Sequence, residues 1–312
     1  IRAQIPMVYH HVWDNKPYPF FNKGFYLSND KIVCISKVTY DIVQTVAPEV
    51  DSIYLPHAVD SNIFKPLPKE EVQQFKNQSI PGAENKFLFF WNNRNARRKQ
   101  SGSLLWWFKE FLDTIGHDKA TLLMHTDPKD PHGQDLEAIV RELKLTEGQV
   151  LLSGNKMSPQ DLAKIVNMCD CTINISDAEG FGLATLESLS CGVPIIVNMT
   201  GGLQEQVTDG ENWFGIGIEP SSKAIIGSQD VPYIYEDRIS KEDFINALTT
   251  MINMSDEERE QLGEMGRQHV QKNYSFEKFC SDWIEVIDET IENHGSWDTR
   301  KNYKPYTFTE IE

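Results

Sequence analysis

Ser176-Asp-Ala-Glu179-Gly-Phe-Gly182-Leu-Ala-Thr-Leu-Glu187 joins an apolar run at 171–175 to a helical pattern within a few residues. A short apolar run that passes straight into a helix reads as a buried strand and its crossover, half of a βαβ unit. In open α/β sheets, ligands bind at this carboxyl edge of the strands. Gly180 and Gly182 let the backbone turn tightly and approach a ligand with no Cβ in the way. The first N–H groups of the helix are then free for phosphate oxygens. A G-x-G-x-x-G dinucleotide fingerprint needs glycine at 185, where Thr185 stands, so nicotinamide or flavin binding fits poorly. An ordinary strand-to-helix turn accounts for the loop as well. Glu179 and Glu187 frame it eight residues apart. Carboxylates accept hydrogen bonds from vicinal hydroxyls, which suits a sugar or ribose on either side of a phosphate. An exposed loop carboxylate plus a first-turn glutamate favoured by the helix dipole would show the same spacing.

Outward from this stretch, short β-type runs at 5–9, 31–35, 52–55, 86–91, 120–124, 150–152, 171–175 and 194–197 alternate with helical patterns. That alternation predicts an α/β protein with a Rossmann-like, doubly wound parallel sheet. Leu104, Leu105, Phe108, Phe111, Leu112 and Ile115 recur at helical spacing, as do Leu136, Ile139, Val140 and Leu143. Ser158-Pro-Gln-Asp161, Ser240-Lys-Glu-Asp243 and Ser255-Asp-Glu-Glu258 each place an N-cap serine before an acidic third residue. They predict helix starts there, and a final helix follows near 276–293. Pro66-Leu-Pro68 interrupts the pattern. The expected division is a small, partial α/β domain at 1–66, a nucleotide-binding domain at 67–280, and a C-terminal helix and tail at 281–312.

The 312 residues carry 46 acidic and 30 basic side chains, a formal charge of −16. An anionic ligand must therefore be met by a local basic cluster, and general affinity for nucleic acid or anionic membrane is disfavoured. Cys34, Cys169, Cys171, Cys191 and Cys280 are odd in number, show no C-x-x-C and mostly sit in apolar runs. They read as buried, reduced thiols of a cytoplasmic protein. No run approaches the length of a membrane span.

Trp91-Asn-Asn-Arg94-Asn-Ala-Arg97-Arg98-Lys99-Gln100 places four basic residues among six directly after a predicted strand. Guanidinium forks beside a point-charge lysine suit a diphosphate. Solvated surface charge or a nucleic-acid patch would account for the same cluster. His125-Thr-Asp127-Pro-Lys-Asp130-Pro-His132 could ligate a metal, but its prolines read as a loop. His10-His11 ends the first predicted strand and is either structural or sugar-contacting.

Assembled in order, these pieces resemble the retaining glycosyltransferases of the GT-B fold, in particular family 4. Members carry E-G-F-G-L-x-x-L-E-A-x-A-x-G-x-P-V-I; this chain reads Glu179-Gly-Phe-Gly-Leu-Ala-Thr-Leu-Glu187-Ser-Leu-Ser-Cys-Gly192-Val-Pro194-Ile-Ile. Gly201-Gly202-Leu-Gln-Glu205-Gln-Val-Thr-Asp-Gly210 is similar to the family's G-G-x-x-E-x-V-x-D-G. Arg94 and Lys99 have the spacing of its G-R-x-x-x-x-K-G pair, with Asn93 and Gln100 replacing both glycines. Leu55-Pro-His57-Ala-Val-Asp60 through Phe64-Lys-Pro66 resembles its interdomain segment, with Ala58 in place of a usual glycine.

The resemblance implies transfer of a sugar from a UDP-, GDP- or ADP-sugar to an acceptor hydroxyl, with no metal and no further cofactor. Arg94, Lys99 and the Gly182 and Leu183 amides would hold the donor diphosphate, and Glu187 the ribose. Glu179, Gly180 and Phe181 would face the donor sugar, while Asn155, Lys156 and Met157 border the base. His11, or less favourably His10, would contact the sugar from the other domain. The acceptor would be a glycan, lipid or protein. The family has further strands and a glycine-rich loop ahead of 5–9, so the chain is expected to begin inside the first domain. Exposed edges of a shortened sheet would then favour self-association. A non-catalytic nucleotide-sugar-binding module is the alternative function. The insertion at 221–235 and the tail at 297–312 fall outside the family pattern.

Overall fold

The computed structural model describes residues 5–83 and 85–301. In the first unit, β1 (Val8–His11), β2 (Lys31–Cys34) and β3 (Ser52–Tyr54) form a parallel sheet in that order. Between β2 and β3 runs the helix Lys37–Val46, started by the Ser36 side chain accepting from the Thr39 N–H at 3.2 Å. It buries Ile42, Val43 and Val46 against Ile32 and Cys34.

β4 (Phe87–Asn92), β5 (Ala120–His125), β6 (Val150–Ser153), β7 (Cys171–Asn174), β8 (Ile195–Asn198) and β9 (Gly215–Ile218) make the second sheet. All pairs are parallel, in the order β6-β5-β4-β7-β8-β9. Strand order therefore reverses between β4 and β7, and the crevice at that switch point is where such sheets hold ligands. Strand periodicity sorts the core onto two faces. Phe89 and Trp91 pack with Leu104, Phe108 and Phe111 on one side, while Leu88 and Phe90 pack with Leu186 and Leu189 on the other. The three serine-capped helices are Pro159–Asn167, Lys241–Asn253 and Asp256–Asn273, the last with a full capping box.

Three differences from the sequence expectation matter for the site. First, β1 begins at Val8 and includes both His10 and His11, because pairing with β2 starts at Val8 opposite Lys31. Second, the 221–235 insertion forms the antiparallel hairpin β10 (Ser222–Ile226) and β11 (Ile234–Arg238). Its Tyr235 carbonyl accepts from Asn15 at 3.0 Å, and its Asp237 N–H donates to the Asp177 carbonyl at 2.8 Å, so it spans both units. Third, the last helix forms over Phe276–His294, as expected, but the expected division at 280/281 falls inside it, and it lies on the first sheet. There Val286, Phe279 and Trp283 pack with Val33, Leu55 and Val8. The chain thus crosses between units twice, and the crossings meet where the Val59 N–H donates to the Tyr274 carbonyl at 3.1 Å. Of the 297–312 tail, residues 302–312 lie outside the described residues, as does Ile1. No helix among the described residues is long and apolar enough to cross a membrane.

Candidate active site

The loop after β7 carries Glu179 to the switch point, and the basic cluster after β4 meets it there. Lys99 forms an ion pair with the Glu179 carboxylate, and both side chains are largely buried, at 9% and 12% exposure. Asn174 Nδ2 and Ser176 Oγ each donate to the same carboxylate at 3.4 Å, and the Arg98 guanidinium lies 3.9 Å away. Burial pulls the Lys99 ammonium below its usual range, and the Glu179 charge opposes that shift.

Local backbone geometry follows from the residue types. Gly182, at φ 95°, is the N-cap of the helix Leu183–Ser190 and offers no capping side chain. The first N–H groups of this helix are unsatisfied by any cap and carry the positive end of the dipole. A Cβ at Gly182 would stand 2.6 Å from Leu203 Cδ2. The loop is held from behind by the glycine pair at 201 and 202, where the Gly202 N–H donates to the Glu179 carbonyl at 3.1 Å. Gln100 takes a left-handed φ of 56°, the conformation a glycine adopts most readily.

A cavity of about 440 Å³ opens beside the loop, between the two units. Glu179, Gly180, Phe181, Gly182 and Leu183 line it. So do Arg98, expected only as one of the basic cluster, and Asp14, His57 and, from β11, Glu236, which were not expected here. Arg98 also donates to the Ala178 carbonyl. The Asp14 carboxyl is pushed up to about 6, first by burial and further by Glu179, with Arg98 and Lys99 opposing.

Two expected residues stand elsewhere. Arg94 is bound to Asp130 at 2.6 Å and to His132 at 2.7 Å, on the loop following β5. His132 and Asp130 therefore serve an arginine. His11 is buried in the core of the first unit, its Nε2 against the Tyr26 hydroxyl at 2.9 Å, and burial lowers its imidazolium to about 4. The histidine that reaches the cavity is His57, edge-on to Phe181 at 5.4 Å and to His10 at 5.1 Å. Asn155, Lys156 and Met157 form an exposed loop after β6, at the far edge of the sheet. Four cysteines are buried, whereas Cys280 is exposed on the last helix.

Glu187 is half-buried and its carboxyl makes no hydrogen bond or ion pair among the described residues. Burial alone pushes it up to about 7. The folded protein thus retains a proton on Glu187 between roughly pH 4.5 and 7 that the unfolded chain has released, so this group's contribution to stability falls across that window as pH rises. Glu187→Gln is expected to match the wild type at pH 4 and to be more stable at pH 8, read as urea midpoints at both pH values.

The family model for Glycosyl transferases group 1 matches residues 74–269. Among curated proteins, the chain is 22% identical over 248 residues to the N-acetyl-alpha-D-glucosaminyl L-malate synthase of Bacillus anthracis, covering 80% of this chain and 56% of that protein. It is 27% identical over 186 residues to the poly(glycerol-phosphate) alpha-glucosyltransferase of Bacillus subtilis, covering 54% of this chain and 27% of that one. The chain thus spans about half, or less, of the length of these relatives. Among solved structures, sucrose-phosphate synthase from Thermosynechococcus elongatus superposes with a TM-score of 0.70 at 20% identity, covering 87% of this chain and 61% of that one. Anabaena HepE in complex with UDP and glucose gives 0.70 at 16% identity, covering 91% and 72%. These structural likenesses establish a shared GT-B fold.

Proposed function

Because the chain belongs to the Glycosyl transferases group 1 family, we propose that it transfers a sugar from a nucleoside-diphosphate sugar to an acceptor hydroxyl, with retention at the anomeric carbon. The observation that carries this is the Lys99–Glu179 pair set against the uncapped start of the helix Leu183–Ser190, at the sheet's switch point. Cationic side chains and helix N–H groups aimed at one spot stabilise the charge that accumulates on a departing diphosphate, with no metal in the mechanism.

In this mechanism Lys99, Arg98 and the Gly182 and Leu183 amides hold the diphosphate. Glu187 takes the ribose hydroxyls, the loop after β6 borders the base, and Glu179, Gly180 and Phe181 meet the sugar. As the diphosphate leaves, Glu179 faces an oxocarbenium-like sugar and the acceptor hydroxyl attacks from the same face. His57 and Asp14 contribute from the first unit, where an acceptor glycan, lipid or protein would enter. A second reading is donor binding without transfer. Release of free nucleotide on adding acceptor separates the two.

The complex of HepE with UDP-glucose makes that donor the first to try. In a thermal-shift panel of UDP-, GDP- and ADP-glucose, one donor should raise Tm by several degrees, unchanged by EDTA. Arg98→Ala should weaken that donor about tenfold or more, equivalent to about 1.4 kcal/mol. Arg94→Ala should cost less, because its guanidinium is already committed to Asp130. A larger loss in Arg94→Ala moves the diphosphate toward the loop after β5, and no shift with any donor defeats the assignment.

A further inference from the structure

A second and larger cavity, of about 650 Å³, lies at the two chain crossings and shares only His57 with the first. Its volume is that of a small-molecule site. Its lining includes Lys37, at the start of the helix Lys37–Val46 in the first unit, and Lys272, near the end of the helix Asp256–Asn273 in the second. The remaining lining charges are already engaged. Lys278 is paired with Asp282 at 2.7 Å, and the Asp209 carboxylate accepts the Asn212 and Glu211 N–H groups at 2.7 and 3.0 Å. Lys37 and Lys272 form no ion pair among the described residues. Both act on the charge of His269, and the Asp209 carboxylate acts on it in the opposite sense. The two ammonium groups, one from each unit, line the same cavity, where one anion would meet both; the Lys37 ammonium also acts on the Glu205 carboxylate.

We propose that this cavity binds a small phosphate monoester, such as a sugar phosphate, and that the anion, by bridging Lys37 and Lys272, fixes the angle between the two units and so tunes the first cavity. Without the anion the ammonium groups repel across the hinge; with it, each is drawn to the same phosphate. A ligand of this kind binds one interdomain arrangement better than others, which is the requirement for coupling. Rings connect the two cavities. His57 lines both and is edge-on to Phe181 of the Glu179 loop; Phe181 meets Tyr274 at 5.7 Å, and Tyr274 meets His269 at 5.4 Å. The coupling rests on the donor-binding reading above, whereas the anion site does not.

Titration calorimetry of the intact chain with inorganic phosphate and with glucose 6-phosphate, using glucose and matched sodium chloride as controls, tests both parts. Saturable heat is expected with the phosphates and none with the controls. A larger affinity for glucose 6-phosphate assigns a sugar phosphate; equal affinities overturn the sugar part of the proposal. Lys37→Met and Lys272→Met, both at exposed positions, should each weaken binding about tenfold, whereas Arg98→Ala should leave it unchanged. Absent heat, heat that survives both lysine variants, or heat lost in Arg98→Ala overturns the site. Saturating glucose 6-phosphate should shift the UDP-glucose Kd severalfold in the wild type and not in Lys272→Met; an unshifted Kd overturns the coupling. Failure of UDP-glucose to bind while phosphate heat persists would count against the donor assignment alone.

Discussion

Lys99→Met should lower folding stability by about 3–5 kcal/mol, the usual result of removing one partner from a buried ion pair. Methionine preserves most of the aliphatic stem, so the loss isolates the charge. What remains around Glu179 is two long hydrogen bonds, from Asn174 and Ser176 at 3.4 Å, and Arg98 at 3.9 Å. Those groups do not solvate a carboxylate as water would, and Glu179 must either stay charged without a close cation or take up a proton. Adding Glu179→Gln to Lys99→Met should recover much of the loss, because the double variant leaves a neutral amide where the orphaned charge had been. Urea unfolding of the four forms at pH 7 gives the coupling energy. Donor affinity should fall at least tenfold in both Lys99→Met forms, since neither restores the cation. A single-variant loss below about 1 kcal/mol would show that Lys99 and Glu179 do not depend on each other.

The fold was legible because its signals are local. Apolar runs of three to six residues, three serine caps and the spacing of Leu104 through Ile115 each depend on neighbours in sequence, and eight of the strands fall within three residues of their expected bounds. β9 was missed because Gly215 and Gly217 dilute its apolar character. Gly215 is there for a tertiary reason, since a Cβ would stand 2.1 Å from the Ile195 carbonyl oxygen on the neighbouring strand. The hairpin β10–β11 offers an exposed, polar first strand, which periodicity cannot separate from a loop.

Within the site, Glu179, Gly182 and Lys99 were legible because they sit at the ends of strands that the topology makes neighbours. Direction was not legible. A single 3₁₀ turn at Arg97–Lys99 decides that Arg98 faces the cavity, while Arg94, ahead of that turn, is captured by Asp130. Five-residue spacing carries no information about such a turn. His11 and His57 differ for a related reason. Extending β1 through His11 places that ring in the core beside Tyr26, and the interdomain segment, not the first strand, brings a histidine to Phe181. Asp14 and Glu236 reach the cavity from segments distant in sequence, which only the packed structure brings together.

Gly201→Ala should be about as damaging as loss of the lysine, for a purely steric reason. Gly201 has φ 49°, and an added Cβ would stand 1.8 Å from the Glu179 carbonyl oxygen and 2.9 Å from its carbonyl carbon. The obstacle is backbone, so no side-chain rotation relieves it; either the 201–202 turn or the Glu179 loop must move by more than an ångström. Left-handed strain and forced overpacking together cost about 3–5 kcal/mol. The displacement acts where Gly202 holds the Glu179 carbonyl, so the carboxylate should leave Lys99 and donor affinity should collapse along with stability. Gly210→Ala separates the two contributions. Gly210 has φ 97° but nothing within 4 Å of an added Cβ, so it carries the strain without the collision. It should lose about 1–2 kcal/mol and keep its donor affinity. If Gly201→Ala unfolds no more easily than Gly210→Ala and titrates with UDP-glucose like the wild type, the loop does not need its present position to hold the diphosphate, and Glu179 is not at the reacting face.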